Sequence, residues 1–435
     1  GLKIAQQEWP QIQQWQAWVT ARAGDQPEAA QMCSAYSLEG GELLDLILTP
    51  SEQRVWYETG LSAARHAEDQ RAELAHLLAL SVVYDRLAHE KTANECALQA
   101  LALADSFEDQ NSTGKAHLLL GKLALKQGSY PVARSNLEQS VICFRALGDR
   151  RDLASALYNL GKIAFAANDL TTCRQYLDES LSLYQQLGDE LGVTTILHVL
   201  RVYSFTDPTK GLEQVNVMEL LRAYQQTGDR LGAAEMLRHL SSNALYTRDF
   251  PTSQYYMRQA LDLDRQLQMP RQVAQDLLAL GVLSLIQTRY VDGRDELLEC
   301  LAICRHFNFL VIGSRTLVLL AFAYWGLRDV ESARANLREG MNLAREAAPE
   351  VLALGIVALA ALRLLANQSE DAAVLVGVAA AYPGTAADTR MFAVETVRQL
   401  LAGVLDSETL AAALERGKAL DYEATVAALI AELSE

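Results

Sequence analysis

Apolar residues recur along this chain at helical spacing, in segments that come in pairs. From Asp149 to Gly188, residues Leu153, Leu157, Leu160, Ile163 and Ala164 mark one face of a first helix, and Asn168-Asp169 interrupts the pattern. Cys173, Tyr176, Leu177, Ser180, Leu181 and Tyr184 then mark one face of a second helix. The pair repeats every 40 residues: Leu147-Gly148-Asp149 returns as Leu187-Gly188-Asp189 and Thr227-Gly228-Asp229, with Asp69 and Asp109 in phase upstream. One Leu phase runs unbroken through Leu80, Leu120, Leu160, Leu200, Leu240, Leu280 and Leu320. Each Gly stands where a helix can end in the left-handed conformation, and each following Asp can accept from the free N–H groups that open the next helix. Small residues at two second-helix phases (Gly60, Ala100, Ser140, Ser180, Ala260, Cys300, Gly340, Ala380; and Ala93, Ala133, Cys173, Ser253, Gly293, Ala333, Ala373) predict close helix crossings. The unit 187–226 breaks both phases with Glu213 and Leu220, and Thr206 to Gly211, with Pro208, replaces its compact turn; an altered inter-repeat angle is expected there.

The prediction is an all-α chain with units joined near 67, 107, 147, 187, 227, 267, 307 and 347. Leu-x-x-Leu-Gly at Leu157 to Gly161, with small residues at the two crossings, resembles the tetratricopeptide repeat (TPR) in a 40-residue form. The resemblance implies a right-handed α-solenoid of about nine helical hairpins over 27–386, led by a helix within 1–26 and closed by a helical cap, 387–435. Val351 to Leu362 is apolar on every side and needs the cover that Phe392 to Leu405, Glu408 to Arg416 and Ala424 to Leu433 can give. Glu415-Arg416-Gly417-Lys418-Ala419-Leu420 resembles the segment closing the repeat arrays of bacterial STAND-class signal-transduction ATPases and ATP-dependent transcription regulators. Glu8-Trp9-Pro10-Gln11-Ile12 with Trp18 resembles the helix that follows the ATPase and winged-helix modules of that class, with Pro10-Gln11 where Asn-Leu is usual. The chain opens Gly1-Leu2-Lys3, and an upstream, covalently linked ATPase module is expected.

Composition narrows the function. Half the residues are hydrophobic and 21% charged, as a packed core requires. With Asp+Glu 54 against Lys+Arg 38, the formal charge of -16 lacks the cationic surplus that phosphate backbones demand, so no nucleic-acid partner is expected. The six cysteines form no C-x-x-C pair and point to a reducing, cytoplasmic setting; the longest apolar run, 12 residues, is too short to span a bilayer, so no membrane partner is expected. None of the Gly-Lys pairs completes a phosphate-cradling P-loop, and the seven His show no His-Glu-x-x-His spacing. Cys300 and Cys304 share a helical face but read as small buried hydrophobes. No metal, no cofactor and no catalytic residue is expected; a helical-solenoid enzyme would need convergent polar groups that the sequence does not display.

First helices line the concave side of such an array. Offsets of two and five from the Leu phase place Lys115, Lys122, Tyr158, Lys162, Phe165, His198, Phe205 and Arg238 along the groove, and Arg315, Phe322 and Trp325 in a later unit. This basic and aromatic strip inside an acidic chain suits a protein or peptide ligand, or an anionic small molecule. The alternative is a solvated face whose cations pair with nearby carboxylates. Lys122 and Lys162 directly follow a Gly as in the carboxylate-clamp TPR domains, but the Asn residues that clamp requires are absent, and its activity is not carried over. The expected role is a non-catalytic sensor regulating a signalling ATPase, with a free-standing TPR adaptor that scaffolds a protein complex as the alternative.

Overall fold

The computed structural model describes residues 2–202, 216–382 and 389–434. Helix α1 (Leu2–Thr20) leads into an irregular first unit of α2 (Pro27–Glu39), α3 (Gly41–Ile47) and α4 (Pro50–His66). Hairpins follow at the 40-residue step: α5 (Gln70–Arg86) with α6 (Glu90–Ser106), α7 (Gln110–Lys126) with α8 (Tyr130–Leu147), and α9 (Arg150–Ala166) with α10 (Leu170–Leu187). Next come α11 (Glu190–Val202) with α12 (Val217–Thr227), α13 (Arg230–Tyr246) with α14 (Phe250–Gln266), α15 (Pro270–Ile286) with α16 (Tyr290–Phe307), and α17 (Leu310–Gly326) with α18 (Val330–Ala347). A 3-10 turn at Pro349–Val351 precedes α19 (Leu352–Leu365) and α20 (Ser369–Ala381). A π-helical turn at Thr389–Val394, then α21 (Glu395–Ala402), α22 (Ser407–Lys418) and α23 (Tyr422–Ser434), complete an all-α solenoid of TPR-like hairpins, with no strand among the described residues.

The 40-residue phases do the work the sequence assigns to them. All seven Leu of the unbroken phase lie in the core, the most exposed at 9%. Ala100, Ser140, Ser180, Ala260 and Cys300 are fully buried at one crossing, and Ala93, Ala133, Cys173, Ser253, Ala333 and Ala373 at the other. Asp69, Asp149, Asp189 and Asp229 each cap the following helix, accepting from the N–H three residues on at 2.8 to 3.2 Å. Gly148, Gly188 and Gly228 end their helices at φ of 72°, 64° and 72°. Glu68, Glu108, Gln268 and Asn308 take the same left-handed conformation at the same phase, and Ala88, Asn168, Arg248, Thr288, Arg328 and Asn367 take it at the turn inside the hairpin. A tight antiparallel turn demands that geometry even where a side chain pays about 1–2 kcal/mol for it, and packing of the flanking helices supplies the difference.

Successive hairpins wind until the array meets itself. Ser51 donates to Gln268 Oε1 at 2.7 Å, Glu90 pairs with Arg271, and Tyr130 donates to Glu350 Oε2 at 3.0 Å. The Ser51–Gln268 and Tyr130–Ala347 contacts are both 217 residues apart, about five and a half repeats. The first helices consequently enclose an axial lumen rather than lining an open trough.

At the far end, Val351 to Leu362 is buried throughout, at 6% exposure or less where a figure applies. Its cover comes from α20 to α23 and the π-helical turn: Val394, Val397, Leu401, Val426, Leu429 and Ile430 join the same core. The irregular turn at Thr206 to Gly211, Phe205 and Glu213 lie outside the described residues.

Candidate functional site

Lys122 of α7, Tyr158 and Lys162 of α9 and Thr195 of α11 face the lumen because each lies on the first-helix side opposite the second-helix crossings. They line a cavity of about 300 Å³ together with Lys126, Ser155, Asn159, Tyr184 and Asp189. Lys162 Nζ stands 5.5 Å from the Tyr158 ring centroid, within reach of a cation–π interaction. Lys126 is held by Asp85, 2.7 Å to its Oδ1. Lys122 and Lys162 pair with no carboxylate among the described residues.

Electrostatics follows from that arrangement. Burial pulls Lys162 down to about 8, and the neighbouring charges of Lys126, Lys122 and Arg271 add to the fall while Glu350 opposes it. Lys122 is lowered too, by burial first, with Asp152 pulling the other way. Across the lumen, burial raises Glu350, which Tyr130, Arg315 and Lys162 hold back. Both lysines remain partly accessible, so neither is sealed from water.

The remaining strip residues separate from this cavity. Lys115 lines a different one, about 410 Å³, with Arg71, Phe107, Asp109 and Ser112. Phe165 is 5% exposed and packs into the core with Cys173, Leu177 and Ile196, so it offers no contact area to a ligand. The spacing that placed it in the groove is one residue off the Ile163–Ala164 core face, and the core takes it. His198 stands edge-on to His239 at 5.4 Å and 3.2 Å from Ser242 Oγ. Arg238, expected to extend the cationic strip, does the reverse: it pairs with Asp264 at 2.5 Å, Glu235 at 2.9 Å and Asp276 at 3.5 Å. Asp264 and Asp276 are each 1% exposed, and burial drives both upward, toward their protonated forms, so Arg238 is ringed by acidic side chains rather than offered to a ligand. Arg315, Phe322 and Trp325 form a separate, mostly apolar pocket of about 120 Å³ with Tyr290, Leu354 and Val397.

Sequence offsets missed Lys126, Tyr184, Asn159 and Glu350. Lys126 is one helical turn beyond Lys122, a visible signal; Tyr184 enters from a second helix and Glu350 from the opposite turn of the array, which no local spacing reveals. Cys300 and Cys304 are buried with their sulfurs 3.9 Å apart, and no group of three or more His, Cys, Asp or Glu among the described residues is placed to hold a metal ion. No described helix is long and apolar enough to cross a membrane.

Residues 112–186, from α7 to α10, match the tetratricopeptide repeat family. No curated protein matches the chain. Among solved structures, the chain is similar to a signal transduction ATPase with numerous domains (STAND) protein with a tetratricopeptide repeat sensor from Pyrococcus horikoshii. That match has 13% identity and a TM-score of 0.47, and covers 86% of this chain and 55% of that one, so the chain spans about half its length. It is also similar to a Rap protein complexed with competence and sporulation factor (13% identity, TM-score 0.45, 74% of this chain and 99% of that one). Yeast Tom70 matches at 15% identity and a TM-score of 0.36, over 93% and 99%.

Proposed function

We propose that the chain is a non-catalytic, cytoplasmic sensor module whose lumen binds an anionic protein or peptide segment, or an anionic small molecule. In this reading 27–386 is the solenoid, 1–26 its lead helix and 387–435 its cap. One observation carries it: Lys122 and Lys162 share a cavity with no carboxylate paired to either among the described residues, so two cations are held together with their neutralisation left to an incoming group. Charge-assisted hydrogen bonds contribute about 1.5 to 3 kcal/mol each. In this reading Lys115 and His198 are secondary contacts outside that cavity, and Arg315, Phe322 and Trp325 form a second site.

The setting we infer is the C-terminal part of a STAND-class ATPase. Glu415 to Leu420 and Glu8 to Ile12 support it by their resemblance to the flanks of such sensors. Binding would shift an inactive-to-active equilibrium of the linked ATPase by whatever affinity difference the ligand has for the two states. The test is titration of acidic amphipathic peptides and phosphorylated small molecules into wild type and the Lys122→Ala/Lys162→Ala variant. At least about a tenfold loss of affinity is expected, with affinity falling as salt rises. Equal affinity in a normally folded variant would remove the lumen from the function.

A further inference from the structure

We infer that Lys162 is a nucleophilic amine that captures a small, anion-bearing aldehyde or ketone as an imine in the α7–α9–α11 cavity. The inference rests on the reading above in one respect: Lys122 is the group that holds the anion.

The chain has only eight lysines, and those with a structural or solvated role look different. Lys91 is 93% exposed, Lys126 is paired to Asp85, and Lys418 is paired to Glu415 at 2.5 Å. Lys162 alone combines a cavity wall, an aromatic floor, two lysine neighbours and no paired carboxylate among the described residues. A lysine kept for stability gains from a paired counter-ion; one placed against like charges loses solvation, and here only the Tyr158 ring and the field of Glu350 favour the charged form. That is the environment in which the free amine becomes cheap. The fall of Lys162 to about 8 agrees with it.

The surroundings suit the reaction. Burial raises the Tyr158 and Tyr184 hydroxyls, so both keep their protons at neutral pH and can donate to a carbonyl oxygen. The neutral Lys162 nitrogen attacks the carbonyl carbon, the C–N bond forms as the C=O π bond breaks, and one amine proton passes to that oxygen to give the carbinolamine. The oxygen then takes a second proton from a tyrosine hydroxyl, the C–O bond breaks to release water as C=N closes, and the remaining nitrogen proton returns to the tyrosine. Nothing is oxidised or reduced, and water reverses the capture.

The experiment uses pyridoxal 5′-phosphate, a phosphate-bearing aldehyde, and pyridoxine 5′-phosphate, its alcohol. After borohydride reduction and peptide mapping, one equivalent should be fixed on Lys162, at a rate rising through pH about 8. At neutral pH the label on Lys162 should exceed that on the exposed Lys91 by at least about tenfold, the reverse of the order that exposure alone would give. Lys162→Arg should abolish the adduct, and Lys122→Ala should weaken binding of the alcohol, measured by calorimetry, by at least about tenfold. Label spread over the lysines according to exposure, or a rate without an inflection near 8, overturns the inference even where the alcohol binds. Selective labelling of Lys162 with no binding of the alcohol keeps the amine and removes the anion site instead.

Discussion

His76 shows how one buried group ties the N-terminal units to pH. It is fully buried, its Nε2 is 2.9 Å from Ser34 Oγ, and its Nδ1 has no partner. Burial lowers it to about 4. The unfolded chain therefore binds the extra proton between about 6.5 and about 4, and stability contributed by neutral His76 is present above that window and lost as pH falls through it. The unfolding free energy of wild type from urea melts should drop relative to His76→Gln across that range, by up to about 3 kcal/mol at about 1.4 kcal/mol per unit; parallel curves would refute it. The same scale shows what a sequence can and cannot tell about charge. Lys162 and Arg238 both follow from offsets in a 40-residue repeat, yet one meets cations and the other three carboxylates. Asp264 and Asp276 lie 26 and 38 residues beyond Arg238, on other helices, where nothing in the local pattern announces them. The facing side is readable from periodicity; the partner is not.

At the scale of helices, the stops, starts, Leu phase and small crossings were all legible because each is a property of one repeat read forty residues at a time. What escaped was either a conformation imposed by packing, as in the left-handed Ala88 and Arg328, or a contact between repeats. Arg65 to Gln99, Arg145 to Glu179, Arg265 to Glu299 and Arg305 to Glu339 form a ladder of 34-residue steps between successive second helices. The ladder is exposed, so a double-mutant cycle at Arg145–Glu179 should return about 0.2–1 kcal/mol, reduced by salt. Glycines differ more sharply. A methyl at Gly161 would press on the Leu177 side chain at 3.0 Å and reach the Cys173 carbonyl only at an ordinary 3.6 Å, whereas at Gly417 it would strike the Val374 carbonyl, and at Gly377 the Leu414 carbonyl. Helices α20 and α22 cross there backbone to backbone, so the Gly417 of the closing motif is the residue that lets the cap seat. Gly417→Ala should cost about 1–3 kcal/mol, more than Gly161→Ala, and raise hydrogen exchange in 407–434; equal melting temperatures for the two variants would contradict the crossing's role.

The molecule as a whole is decided by contacts that no repeat contains. Closure of the lumen depends on pairs some 180 to 220 residues apart, Glu90 with Arg271 and Tyr130 with Glu350 among them, and periodicity sets the curvature that brings them together without naming them. Gly128 is the sharpest case. It sits at φ 74° in the turn between α7 and α8, and a methyl there would run into the Ala347 carbonyl on the next superhelical turn. Gly148 has nearly the same conformation, φ 72°, but nothing within 4 Å of the methyl position. Alanine at either site pays the left-handed backbone cost of about 1–2 kcal/mol. Only at Gly128 must the two turns also move apart, since both colliding groups belong to backbone that is held in helical turns. Gly128→Ala should therefore increase the radius of gyration in solution scattering and speed exchange near 347–351, while Gly148→Ala loses comparable local stability with an unchanged radius. Because Lys162, Arg271 and Glu350 face one another across the same axis, opening the turns should also relieve Lys162 of its cationic neighbour Arg271 and of the counter-charge at Glu350 together. If the two alanine variants scatter identically, the array is held closed by its curvature alone and the Gly128–Ala347 approach is incidental.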